Sequence, residues 1–345
     1  MSKSTKPTTK EWLALYEASV TFKKSACWEW MYDDDIFGIQ DPETGEISFC
    51  CIMGNAGEHF AVAGYLGNEG LDGILKMLSG ELEPDDPDNM FVQKCLMCSF
   101  EDRTLLAPED LRVIKKLGLK FRGKNAWPVF RHYAPGLFPW FITGQQCRFL
   151  THILNQALEV SLRCRESKDI LEHKTIQTYF VRTSKKTSNG DIVWEDKYIE
   201  IEPFHPAFVS FHITDEIRVR KLASIQPDKR LALEADTFYI PNPVKEKGRP
   251  YYPKVCALLD HHSGMVLSFD MLSNLSTEGH KCIELLADFI EHTGKKPSKL
   301  FVAREETYYL FLDLCNQIDI TLEMVEHLEF AEEMRFGLLN FPSFQ

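Results

Sequence analysis

Between residues 231 and 340, short apolar runs alternate with longer amphipathic ones in an order that leaves few folds open. "LALEADTFYIP" is a strand, followed by the loop "NPVKEKGRPYY". "PKVCALLDHHSGMVLSFDML" is a strand pair turned by "HHSG", with Gly264 suited to a left-handed turn position. "STEGHKCIELLADFIEHTGKKP" is a helix: Ile283, Leu286, Ala287 and Ile290 share one face, and Gly294 ends it. "SKLFVA" and "ITLEMV" are strands separated by the helix "EETYYLFLDLCNQI" and followed by a closing helix, "LEFAEEMRFGLLNF". The order is βββαβαβα, and strands alternating with helices make an α/β domain.

The preceding part is α+β. "MSKSTKPTTKEW" is polar, has no apolar core of a secretory leader, and is expected to be a disordered tail over 1–10. In "EWLALYEASVTFKKSACWEWM", Trp12, Leu15, Tyr16, Ser19 and Phe22 recur at helical spacing. "DDDIFGIQDPETGEISFCCIMG" gives two strands about the loop "QDPETGE", "HFAVAGYLG" a third strand, "GLDGILKMLSGEL" a helix and "EPDDPDN" an acidic surface loop. "MFVQKCLMCSF" is a buried strand and "APEDLRVIKKLGL" a helix with Pro108 in its first turn. One or two strands flank "APG" in "PVFRHYAPGLFPWFIT", and a long helix buries Phe149, Ile153, Leu154 and Leu158. Over 35–164 the helices are expected on one side of the strands. "TIQTYFVRTS" and "DIVWEDKYIEIEP" form a hairpin through "KKTSNG", and "ITDEIRVRKLASI" is a helix capped by Thr214. "QPDKR" marks a boundary at 226–230. The expected domains are 11–225, with an optional further break near 165–175, and 226–345.

Length and charge bound the function classes. A chain of 345 residues suits two domains, and 44% hydrophobic with 26% charged residues is a globular balance. No apolar run approaches the roughly 20 residues that span a bilayer. The ten cysteines sit largely in apolar runs such as "SFCCIMG", which suits a reducing compartment and predicts a cytoplasmic protein. Net charge is −12, and residues 231–345 alone, with 10 Lys/Arg against 18 Asp/Glu, carry −8 of it. Binding to phosphate backbones relies on clustered Lys and Arg, so non-specific nucleic-acid binding is disfavoured.

The order over 231–340, about a third of the chain, resembles the ribonuclease-H-like fold of retroviral-type integrase and transposase cores. "EADTFYI" is similar to the first integrase strand, which puts Asp236 at the first acid. "ALLDHHSGMVLS" is similar to the second and third strands, with Asp260 and Gly264 at a non-catalytic Asp and a small turn residue. "HTGKKPSKLFVAR" resembles the passage leading to the second catalytic acid, but the matching residue here is Arg304. A third acid would come from the closing helix, where Glu329, Glu332 and Glu333 stand. The whole chain also resembles a bacterial two-domain family without assigned activity, through "DIFGIQDPETGEISFCCIMGNAGEHFAVAGYLG", "HYAPGLFPWFIT" and "TFYIPNPV". That second resemblance implies architecture and no chemistry.

Two function classes follow. In the first, Arg304 marks a degenerate site, and the protein needs no cofactor and binds a protein or small ligand. In the second, Asp236 with Glu305 or Glu306 and a closing-helix acid such as Glu333 holds Mg²⁺ or Mn²⁺ for phosphoryl transfer, with Asp260 as a further metal ligand. Arg304 counts against the second, because a cation beside the metal weakens its binding. No P-loop, GxGxxG, GxSxG or HExxH occurs.

Three motifs have plain structural readings. "CLMC" has zinc-knuckle spacing but no second pair, and strand alternation sends Cys95 and Cys98 to opposite faces. "DHHSG" is either a titratable cluster or a hairpin turn. "YDDDIFG" lacks the alternate ligands of a calcium loop. In "FRHYAPGLFPWF", Arg131, His132, Tyr133 and Trp140 crowd around two prolines. This is either a recognition surface, for which Arg and aromatic residues are typical, or a core corner.

Overall fold

The computed structural model describes residues 5–82, 91–172, 175 and 177–339. The acidic loop expected over 83–89 lies outside them, as do residues 1–4 of the expected tail. Helix α1, Thr9–Ser25, begins inside the stretch expected as tail and is set at Thr8 by a reciprocal cap. The Thr8 hydroxyl accepts from the Glu11 N–H, and the Glu11 carboxylate accepts from the Thr8 N–H.

Two compact units form. One comprises Met1–Pro135 and Pro139–His205, the other Gly136–Phe138 and Pro206–Gln345. The first holds an eight-stranded sheet of β1 (Phe37–Gln40), β2 (Ile47–Met53), β3 (Ala61–Leu66), β4 (Cys95–Glu101), β5 (Trp127–Ala134), β6 (Leu137–Trp140, of which Pro139 and Trp140 count with this unit), β7 (Thr178–Lys186) and β8 (Ile192–Glu200). Their order is β6-β5-β4-β3-β2-β1-β7-β8. Strands β1 to β5 form an antiparallel meander, and β7 joins parallel to β1. The central strands are apolar without alternation because both faces are covered. Leu15 and Phe22 of α1 and Ile153 and Leu154 of α4 (Gly144–Glu166) pack over Cys50, Ile52 and Cys98. Helix α2, Gly67–Ser79, lays Leu71 and Ile74 on the opposite face, over Phe49, Cys51, Ala63 and Cys95. The expectation of helices on one side is thereby corrected. Each large apolar side chain so buried stabilises by about 1.5–3 kcal/mol. Cys95 and Cys98 fall in different cores, as strand alternation requires. Helix α3, Pro108–Lys116, also belongs to this unit.

The second unit opens with helix α5, Glu216–Ser224, ahead of the break expected at 226–230. Leu222 is buried in this unit's core. The helix is capped by Asp215, whose carboxylate accepts from the N–H groups of Ile217 and Arg218, and not by Thr214. The polar "QPDKR" begins a long strand, β9 (Pro227–Tyr239). Next come β10 (Lys254–Asp260), β11 (Val266–Leu272), the single turn α6 (Leu275–Glu278) and α7 (His280–Thr293). Then follow β12 (Lys296–Val302), α8 (Glu305–Gln317), β13 (Thr321–Met324) and α9 (Glu329–Leu339). The sheet order is β11-β10-β9-β12-β13. Strands β9, β10 and β11 are mutually antiparallel, while β12 runs parallel to β9 and β13 parallel to β12. One face, with Leu233, Ala235, Leu258 and Leu300, lies under Ile283, Leu286, Phe311 and Leu314 of α7 and α8. The other, with Phe238, Val255, Ala257 and Leu259, lies under Leu328 and Ala331.

Lys296, 1% exposed, ties this unit's helix ends together. Its ammonium donates to the carbonyls of Ala223 at 3.1 Å and Ile318 at 2.8 Å, at the C-terminal ends of α5 and α8. Burial lowers its pKa, while the two helix ends supply the partial negative charge that keeps it bound there.

Candidate functional site

Strand β9 alternates in the usual way, which puts Glu234, Asp236 and Phe238 on the face beneath α9. Two carboxylates are therefore buried roughly 7 Å apart along one strand. Glu234 is 1% and Asp236 4% exposed. A buried carboxylate is tolerated only with charged or hydrogen-bonding partners, and each has its own set.

Glu234 Oε1 lies 2.9 Å from Nδ1 of His261, and Oε2 accepts from the Ala331 N–H at 3.1 Å. Ala331 is in the first turn of α9, where N–H groups lack helical partners and the helix dipole favours an anion. Asp236 Oδ1 lies 3.1 Å from Nε of Arg304 and also accepts from the Thr237 N–H at 2.8 Å. Arg304 occupies the cap position of α8 in extended conformation and makes no side-chain cap, so its guanidinium is directed to the strand. Glu306, two residues on, pairs with Lys254, whose ammonium also sits 4.7 Å from the Tyr239 ring. On the opposite face, the buried hydroxyls of Thr237 and Thr307 meet at 2.8 Å.

The acids named from the sequence do not converge. Glu305 and Glu333 are both exposed, whereas Asp236 is buried under its arginine. Asp236 stands opposite Ala257, so Asp260 is three residues farther along β10, about 10 Å at the strand rise. Asp260 instead closes the hairpin turn, accepting from the N–H groups of His262 and Ser263 and from the Ser263 hydroxyl. Burial raises its pKa, but the Ser263 and His262 hydrogen bonds outweigh this and hold it below the ordinary value. Gly264 follows at φ 69°, the left-handed position expected of it, and a side chain there would strike Phe330. Among the described residues, no group of three or more His, Cys, Asp or Glu side chains is placed to hold a metal ion. The set Asp236, Glu305 and Glu333 forms no such group, and Asp236 and Asp260 stand three ladder positions apart.

The Arg131 stretch is a corner of the first unit. Arg131 grips Asp110 of α3 with both terminal nitrogens, at 3.0 and 2.6 Å, and lies 4.7 Å from the Phe141 ring. Neighbouring Phe130 packs against Trp12 and Tyr16 in the core. His132 and Tyr133 are half-buried, and half-buried Trp140 meets Phe141 edge-on. The sequence reasoning missed Glu234 and its contact with His261 of "DHHSG". The signal was present in "LEAD", where two acids at i and i+2 share one strand face.

Residues 12–182 match the family model described as Domain of unknown function (DUF7309), and residues 218–339 match Domain of unknown function (DUF6930). Among solved structures, the HTLV-2 integrase catalytic core domain in complex with magnesium, trimeric form, aligns at 16% identity and a TM-score of 0.24. The alignment covers 34% of this chain and 77% of that one. The simian T-cell lymphotropic virus intasome in complex with PP2A regulatory subunit B56 gamma aligns at 19% identity and a TM-score of 0.24. It covers 32% of this chain and 39% of that chain, well short of its length. Scores this low carry no argument about chemistry. No curated protein matches the chain. The chain is a tandem of two domains matched by family models of unknown function, DUF7309 ahead of DUF6930.

Proposed function

We propose that the second unit is a ribonuclease-H-like domain that has exchanged its acidic metal site for an ion pair, and that the protein binds a protein or small ligand without catalysis of its own. The observation that carries this reading is the 3.1 Å contact of Arg304 Nε with Asp236, a carboxylate 4% exposed. The sheet supports the fold assignment: three antiparallel strands, then two parallel ones added beyond the first, with α7 and α8 between successive strands. Metal-assisted phosphoryl transfer needs carboxylates converging on a divalent ion. Here a guanidinium already occupies Asp236, and a metal ion would enter against its charge. The ten cysteines are all buried and free, which supports a cytoplasmic setting.

Thermal unfolding of the full chain with and without millimolar Mn²⁺, in wild type and Asp236→Asn, tests this. A ligand at ten times its dissociation constant stabilises by about 1.4 kcal/mol, a shift of several degrees. The expected result is no Mn²⁺ shift in either protein. A shift in wild type that Asp236→Asn abolishes would replace this reading with the phosphoryl-transfer one.

A further inference from the structure

Strand β11 is the outer strand of the second sheet, paired with β10 alone among the described strands. Its free edge has a defined polarity. The Asp260 N–H donates to the Met265 carbonyl, so the even-numbered residues of β10 turn their backbone toward β11. Register then turns Ser268 and Asp270, opposite Leu258 and Cys256, inward, and Phe269 and Met271 outward. The Met271 N–H accordingly finds the carboxylate of neighbouring Asp270, at 2.7 Å, in place of a ladder partner.

The side chains along this edge are apolar and bare. Met265 is 61%, Val266 42%, Phe269 54% and Met271 52% exposed. Soluble proteins guard such edges with Lys, Pro or inward charge. The stretch "MVLSFDML" has no Lys, Arg or Pro and a single acid. The one irregularity of the β10–β11 ladder lies at its turn end, between Leu258 and Leu259, so the segment from Ser268 to Leu272 is regular.

We propose that this edge is a homodimer interface, in which β11 pairs antiparallel with β11 of a second copy about Phe269 and joins two five-stranded sheets into one. The register centred on Phe269 pairs the whole of Val266–Leu272 with itself, and both it and the register centred on Asp270 set outward backbone groups against outward backbone groups. A register centred on Asp270 would set that carboxylate directly against its own copy, which is destabilising. The register centred on Phe269 sets Asp270 opposite Ser268 and Met271 opposite Leu267. It also places Phe269 beside Phe269 of the second copy, a favourable cross-strand aromatic pair.

Sedimentation velocity on the full chain, from about 1 to about 100 µM, reads the assembly directly. The expected species at the upper end has twice the 39.8 kDa chain mass. Phe269→Lys is expected to weaken the dimer at least about tenfold. Met271→Pro removes one outward N–H while sparing the β10 ladder, so it too weakens the dimer and leaves the circular dichroism spectrum unchanged. Asp270→Ser leaves the dimer in place, because Asp270 faces Ser268 in the pairing. A chain that stays monomeric throughout would overturn the proposal. A dimer untouched by Phe269→Lys and Met271→Pro would overturn it equally.

Discussion

Each unit holds one nearly buried aspartate against an arginine, but the two pairs are built in opposite directions. In the first unit the helix brings the acid. Asp110 stands in the first turn of α3, accepts from the Ala107 N–H, and receives a two-pronged grip from Arg131 on β5. In the second unit the strand brings the acid and the helix entrance brings the base, with Arg304 approaching Asp236 through Nε. The Arg131 side chain is 16% exposed and that of Arg304 31%. The first pair is therefore a closed anchor between helix and strand. The second leaves its arginine about twice as exposed and sits on a face that also holds Glu234.

That contrast can be broken by substitution. Arg131→Met strands Asp110 without its charge partner and is expected to cost the most, about 3–5 kcal/mol in urea unfolding. Arg304→Met is expected to cost about 1–3 kcal/mol, because the part-exposed guanidinium contributes less and Asp236 keeps the Thr237 N–H. Equal losses would mean that the two pairs do the same structural work. A smaller effect separates ion pairs from helix-end hydrogen bonds within the second unit. Glu278 is held down to about 2, first by the Ser273 hydroxyl, then by Lys281 and by backbone N–H groups. A carboxyl with a lowered folded pKa stabilises above its unfolded value of about 4.3, and that contribution fades as pH falls. Glu278→Gln should thus flatten the loss of stability between pH 4.3 and about 2. An unchanged acid limb would show that Glu278 is not what fails there.

Local pattern was legible where a side chain's fate depends on its neighbours in sequence. The helical spacing of Leu15, Tyr16 and Phe22, the run "SFCCIM" and the Gly264 turn all appear where the residues put them. Cap choice was less legible: Thr214 and Asp215 both suit the role, and the carboxylate one residue later takes it. Pairings across long separations were not legible. Arg304 stood out as a missing acid, yet nothing local says that it turns back to Asp236, 68 residues earlier. The same holds for Lys296, whose two carbonyl partners come from different helices and draw α5 into the second unit. The turn "DHHSG" shows its Asp260 loop in the sequence but not that His261 reaches Glu234.

The bond between Glu234 and Ala331 joins residues 97 positions apart, and this bears on the order in which the unit can be made. Among this unit's strands β9 is made first, carrying its two acids into the middle of a sheet that does not yet exist. Arg304 arrives later, and the first turn of α9 later still. Until that turn is synthesised, Glu234 lacks one of the partners that make its burial tolerable, so the sheet cannot close around it without cost. The cost of burying Glu234 is therefore fully offset only once the last helix of the unit has been made.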